Sequence, residues 1–274
     1  MKRGNRTPRM ENVRSLERGL ALLVAMNRRR VASVSELAKD TKIPRPTVYR
    51  LLDTLAQAGF VGRESATDRY RPIHGVRALS DGFLDDEWVT EIAAPMMAAF
   101  TREHVWPVSL FTFEAGKMLV RDTTHRLSSL SIDYGMVGRR MAMLRTAGGL
   151  AYLAFCPDNE RTVILDLLAQ SNDPDDHEAR EPQRLYGLFK AIRANGYATQ
   201  ERTINPKASS ISVPILVERR VYGCMSLIFI ASALTMSDVE KKLLSPLQKM
   251  AKELADAVRP TAVSSAKPEA AKAR

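Results

Sequence analysis

Apolar positions in this chain recur first at helical and later at strand spacing, and the change of period divides it. Leu16, Leu20, Leu23 and Val24 repeat as a helix does, which predicts an amphipathic helix over 15–26 interrupted by Arg28, Arg29 and Arg30. Ser33 and Glu36 stand at capping-box spacing, so a short helix carrying Leu37 and Ala38 inward is predicted to start there and to break over 41–44. A third helix opens near Arg45, with Pro46 in its first turn, where amide hydrogens have no intrahelical partner anyway. Val48, Leu51, Leu52 and Leu55 give it one buried stripe, and Gly59 stops it. Residues 60–72 alternate apolar and polar on either side of a turn at 65–68, the pattern of a hairpin.

From residue 73 to 105 the pattern is again helical, weakened at Gly82, and Asp81, Asp85, Asp86 and Glu87 mark a boundary near 80–88. The period then drops to two. Residues 107–113 and 117–123 flank a turn at Gly116, and 127–133 reads as a further strand. Helical stretches follow at 145–156, 159–170 and 181–195, the last stopped by Gly196. Residues 211–217 and 221–231 form another hairpin, and a final helix is expected over 238–258 with Ser237 as its N-cap. Hairpins with segregated helices predict an α+β domain on an antiparallel sheet. The end of the chain, 259–274, is polar and rich in Ala, Pro and Lys, which predicts disorder.

Composition alters this picture little. Hydrophobic residues make up 45% and charged ones 26% of 274, as in a globular protein. No apolar run approaches the roughly 18 residues of a membrane helix, and none follows the basic N-terminus, so neither membrane insertion nor secretion is expected. Cys156 and Cys224 sit in apolar surroundings and are too few for a disulfide framework, which fits a reducing cytoplasm.

Charge changes the picture more. Residues 1–72 hold 16 Lys and Arg against 7 Asp and Glu, while the rest holds 25 against 24. Such asymmetry points to one nucleic-acid-facing module joined to a near-neutral one, with a basic solvated surface as the other reading of charge alone. Arg45, Thr47, Tyr49, Arg50 and Asp53 lie off the buried stripe, and Arg45, Pro46, Thr47, Tyr49 and Arg50 are the DNA-binding candidates because the start of such a helix enters the major groove. Arginine can donate two bonds to guanine there, and Thr and Tyr reach phosphates or base edges. Arg63, Arg69 and Arg71 decorate the hairpin, where they can take phosphates of the flanking backbone.

Catalytic chemistry is not expected. His74, His104, His125 and His177 are scattered, no metal-ligand spacing occurs, and no phosphate-binding loop or nucleophile elbow is present. Residues 172–178 gather four carboxylates but read as a solvated loop, so no cofactor or metal is predicted. An enzyme carrying a passenger DNA module and a sequence-blind DNA binder are the competing classes; turnover by the purified protein, or affinity set by salt alone, would mark them.

The segments VRSLERGLALL (13–23) and SELAKDTKIPRPTVYRLLDTLAQAGFV (35–61), with the stretch ending RYRP, resemble the DNA-binding domain of the IclR family of bacterial transcription regulators. The resemblance implies a winged helix-turn-helix over 13–74 with its two-helix motif at 34–53. It further implies a linker helix over 75–88 and a GAF-like effector-binding domain over 89–260, between a disordered basic arm (1–12) and a disordered tail (261–274). VGRRMAMLRTAGGLAYLAF (137–155), ANGYATQER (194–202) and SSISVPI (209–215) resemble the family's pocket segments. Effector contacts are thereby implied at Ala147, Gly148, Glu201, Ser210, Ser226 and Ile228, with Leu130, Met136 and Met141 as apolar walls. Arg126, Arg139, Arg140 and Arg145 are all candidate partners for a ligand carboxylate. Leu144 and Leu150 depart from the His and Lys of many members, and Ala208-Ser209-Ser210 from a Gly-x-x-Cys-like run, which points to a different effector from theirs. LVRDTTH (119–125), TAGGLAYLAFCP (146–157) and ASALT (231–235) are closer to members that activate phenylpropionate catabolism. That likeness implies an aromatic carboxylic acid as effector and activation on binding it; a repressor answering another small organic acid is the alternative. Double-stranded promoter DNA and a homodimer or homotetramer are implied as well.

Overall fold

A computed structural model describes residues 12–64, 66–83 and 85–265, which form two compact units dividing after Phe83. The expected arm lies outside these residues except for Asn12. The expected tail lies outside them from residue 266, and the backbone of 261–265 continues the last helix.

The first unit comprises α1 (Arg14–Arg29), α2 (Val34–Thr41), α3 (Arg45–Gln57), a hairpin of β1 (Val61–Glu64) and β2 (Arg69–Pro72), and α4 (His74–Asp81). The Ser33 hydroxyl accepts from the Glu36 amide while the Glu36 carboxylate accepts from the Ser33 amide, so α2 starts where the sequence places it. Leu22, Met26, Leu37, Val48 and Leu52 are fully buried and, with Val61 and Tyr70, form one core. Ala32 exchanges backbone bonds of 2.9 and 2.8 Å with Tyr70, adding a third, one-residue rung to the hairpin. The helix α1 corrects the sequence reading of its face. Its buried side is Leu22, Ala25 and Met26, whereas Leu16, Leu20 and Val24 are 52–61% exposed. Both stripes are apolar at helical spacing, and periodicity alone does not say which one the core closes over. Helix α4 buries no side chain and ends at Asp81, short of the expected 88.

The second unit opens with a π-helical turn (Trp88–Ala93) running into α5 (Ala94–His104). Next come β3 (Val108–Glu114), β4 (Lys117–Thr123), β5 (Arg140–Ala142), α6 (Ala147–Phe155), α7 (Asp158–Ala169), a 3₁₀ segment (Pro174–Arg180) and α8 (Pro182–Asn195). The unit closes with β6 (Ala198–Glu201), β7 (Ala208–Val217), β8 (Arg220–Ile230), α9 (Met236–Lys242) and α10 (Leu244–Ser265). Six antiparallel strands run in the order β5-β4-β3-β8-β7-β6. Successive side chains of a strand face opposite sides. Val108, Leu110, Ile211, Val213, Met225 and Leu227 accordingly pack on one face with α5 and α10. Phe111, Met118, Val120 and Cys224 pack on the other with α6, α7 and α8.

Three expectations change here. Residues 127–133 are irregular and the edge strand is β5, because local bonds replace a ladder: His125 Nδ1 meets Ser131 Oγ at 2.7 Å and Ser131 Oγ donates to the Asp133 carbonyl. The acidic run at 172–178 is largely solvated, as expected, but it is not a loop. It lies mostly within the 3₁₀ segment, where Asp176 is 2% exposed and accepts from Lys117 Nζ, which Asp173 also binds at 2.9 Å. The last helical stretch starts with a capping box between Thr235 and Asp238, two residues before the expected cap, and is interrupted at Leu243.

Candidate DNA-reading face and effector cavity

The buried side of α3, Val48 and Leu52, fixes which side chains it presents outward. Arg45, Pro46, Tyr49 and Arg50 are exposed and Thr47 is half-buried. Arg45 and Arg50 make no salt bridge among the described residues, so both guanidinium groups are available to an outside acceptor. The hairpin arginines are more committed. Arg63 binds Asp68 at 2.6 Å, and Arg71 lies 3.8 Å from Glu64. Arg69 donates to Glu36 at 2.9 Å and to the Val31 carbonyl at 3.2 Å, which ties the hairpin to the start of α2. These last bonds give Arg69 a structural task that its place in the sequence does not reveal.

In the second unit a cavity of about 70 Å³ opens where α6 begins. Thr146 caps that helix by accepting from the Gly149 amide at 3.1 Å, which leaves the Ala147 and Gly148 amides in the uncapped first turn. A Cβ on Gly149 would stand 2.1 Å from the Met143 carbonyl oxygen, so only glycine lets the helix start this close to the preceding turn. Gly148 faces the cavity, where a Cβ would lie 3.4 Å from Phe111 and from Ser226 Oγ.

Of the residues singled out from sequence, Met136, Met141, Arg145, Ala147, Gly148, Ser210, Ser226 and Ile228 line this cavity together. Leu130 and Glu201 do not: Leu130 packs against the core on the α5–α10 side, and Glu201 is exposed on β6. Among the four candidate arginines only Arg145 lines it, whereas Arg140 pairs with Glu114 at 2.7 Å and Arg126 is exposed. Arg145 also lies 3.5 Å from Asp175 and 3.8 Å from Glu178. Sequence reasoning missed Phe111, Asp133, Gln200, Thr203, Ile204 and Asn205. Asn205 Nδ2 donates to Asp133 Oδ1 at 3.0 Å, joining two irregular segments 72 positions apart, and no motif or period marks such a contact. Close by in sequence, His125 is 3% exposed and its Nε2 has no partner among the described residues. Burial lowers its pKa, against the attraction of Asp133.

Comparison with known proteins agrees with both units. A model of the IclR helix-turn-helix domain matches residues 15–65, and a model of the C-terminal domain of bacterial IclR transcriptional regulators matches residues 82–256. The Pca regulon regulatory protein of Pseudomonas putida is 25% identical over 248 residues, covering 88% of this chain and 82% of its own. The crystal structure of Thermotoga maritima IclR superposes with a TM-score of 0.59 at 20% identity, covering 90% of this chain and all (100%) of that one. An IclR homolog from Microbacterium hydrocarbonoxydans, crystallised with 4-hydroxybenzoate, superposes with a TM-score of 0.55 at 19% identity over 90% and 99% of the two chains.

Proposed function

The chain belongs to the IclR family of bacterial transcriptional regulators, a family of DNA-binding regulators rather than enzymes, and from that premise we infer that it activates genes of aromatic-acid catabolism when an aromatic carboxylic acid enters the α6 cavity. Residues 13–74 would act as the reading module and 89–260 as the effector module, in the cytoplasm. One observation carries the effector reading: the cavity joins Arg145 and the free amides of Ala147 and Gly148 to apolar walls from Phe111, Met136, Met141 and Ile228. A guanidinium and a helix N-terminus suit a carboxylate, and a flat apolar slot suits a ring. The local likeness of 119–125 and 146–157 to MhpR, the activator of 3-(3-hydroxyphenyl)propionate catabolism, supports the same class of ligand. So does the 4-hydroxybenzoate bound to the Microbacterium homolog.

The cavity is smaller than the ~300 Å³ at which ligand pockets usually begin. A ring must therefore displace something to enter, and the 202–207 loop, closed by the Asn205–Asp133 bond, is a wall with no buried side chain. On the DNA side one α3 reads one half-site. The exposed stripe of Val13, Leu16, Leu20 and Val24 on or beside α1 offers a surface for a second copy, so that a dimer, or a tetramer built from it, reads a palindrome.

Calorimetry of the full chain against 3-(3-hydroxyphenyl)propionate, cinnamate, 4-hydroxybenzoate and benzoate tests the effector reading. At least one should bind, and Arg145→Met should weaken it by about tenfold or more, the loss of a charge-assisted pair. Binding by none of them, or no effect of Arg145→Met, contradicts the reading. The repressor alternative predicts that the bound acid releases promoter DNA and that transcription rises when the protein is deleted.

A further inference from the structure

Arg121 occupies an irregular point of the sheet. Leu110 pairs with Asp122 and Phe111 with Val120, so Arg121 is the extra residue of a bulge in β4. A bulge breaks the alternation of faces and re-aims a side chain. Val120 packs on the cavity side of the sheet, while Arg121 reaches the segment on the opposite side that follows the division between the two units. Its guanidinium donates to both carboxylate oxygens of Asp85, to Asp86 Oδ2 at 2.8 Å and to Thr112 Oγ1 at 3.5 Å. Arg121 and Asp85 are only 15% and 14% exposed, and the guanidinium lies 6.0 Å from the Trp88 ring. Burial is the largest single influence on the Asp85 carboxylate and disfavours it, yet the bond and charge of Arg121 together with the Asp86 amide outweigh it and hold its pKa below the usual range. The Asp86 backbone carbonyl in turn accepts from the Val89 amide at 2.8 Å and so opens the helix that begins the second unit.

The other side of the bulge leads to the cavity without a gap. The Val120 amide donates to the Arg139 carbonyl and the Val120 carbonyl accepts from Gly138, both at 2.9 Å. Met136 stands two residues before that loop and Met141 two residues after it, both on the cavity, and Phe111, opposite Val120, is a third wall. Three cavity walls thus lie within three covalent or backbone hydrogen-bond links of the residue that precedes Arg121.

The geometry points to Arg121 as the positioning residue that couples the cavity to the DNA-reading unit: a ligand that shifts Met136, Met141 or Phe111 moves the bulge, and the bulge moves the Arg121 clamp on Asp85 and Asp86. This rests on the effector reading above and adds the route by which the site is heard. It requires two arrangements of the clamp between which the ligand discriminates. Half-buried, forked and held by two carboxylates, the clamp is suited to switching between discrete arrangements rather than to sliding.

The test uses the full chain, 3-(3-hydroxyphenyl)propionate as ligand, and a double-stranded fragment selected from random DNA with the wild-type protein. In wild type the ligand should change the fragment Kd by at least about fivefold. Arg121→Met should compress that change to less than about twofold while the ligand Kd without DNA stays within about threefold, and coupling must vanish reciprocally for ligand binding with DNA present. Asp85→Asn with Asp86→Asn, which leaves the sheet untouched, should do the same, and Arg121→Lys should keep part of the coupling. Full coupling in either clamp variant overturns the proposal while leaving the effector reading intact. Binding without any wild-type change in fragment affinity overturns the coupling route, and no binding overturns the effector reading and the route together.

Discussion

Two adjacent glycines divide fold from function at the scale of single atoms. Gly149→Ala would place a methyl group 2.1 Å from a backbone carbonyl that cannot rotate away, so a loss of about 3 kcal/mol or more is expected in urea unfolding. Gly148→Ala meets only ordinary contacts with Phe111 and Ser226, so the fold should keep its midpoint while the ligand loses its space. Equal effects of the two substitutions on stability would contradict this division. His125 sets a pH dependence of definite sign. Burial holds its folded pKa below the ordinary value of 6.5, so between the two values the unfolded chain binds the extra proton. Stability is full above that value and declines as pH falls through it. Urea midpoints at pH 7.5 and 5.5 should show this decline, and His125→Gln should remove part of it; an unchanged decline would remove His125 from the account.

Elements were legible where local chemistry decides them. The Ser33–Glu36 capping box, Pro46 in the first turn of α3 and the hairpin around 65–68 are each set by neighbours in sequence, and all stand where periodicity and caps place them. Ser33→Ala should accordingly cost about 1 kcal/mol, and more if Glu36 then releases Arg69. A thermal scan that shows no loss would place the start of α2 under tertiary control. Much of the cavity was legible too, because eight of its lining residues fall in recognisable segments. Most of what escaped depends on distant partners. The buried face of α1 is chosen by Leu37 and Val48 and the burial of Asp176 by Lys117 on β4, all beyond a helical turn or a strand period of the residues they govern. The irregular path over 127–133 is set by local side-chain bonds, which follow no period.

At the scale of the molecule, charge and shape assign separate tasks to the two units. The N-terminal quarter carries nearly all of the net +10 and presents Arg45 and Arg50, which make no salt bridge among the described residues. The near-neutral remainder holds the cavity and buries both thiols, raising Cys156 to about 12, so neither is a reactive group at neutral pH. On the proposed reading, phosphate contacts from the basic unit would supply affinity that falls with salt, and contacts from α3 to base edges would supply the preference for one sequence. The central claim is that α3 reads DNA, and fluorescence anisotropy of the selected fragment against random DNA tests it most directly. Arg45→Ala with Arg50→Ala should reduce the preference for the selected fragment by about tenfold or more, with folding unchanged, since each bidentate arginine–guanine pair is worth ~1–3 kcal/mol of discrimination. An unchanged preference in the double variant would contradict the account.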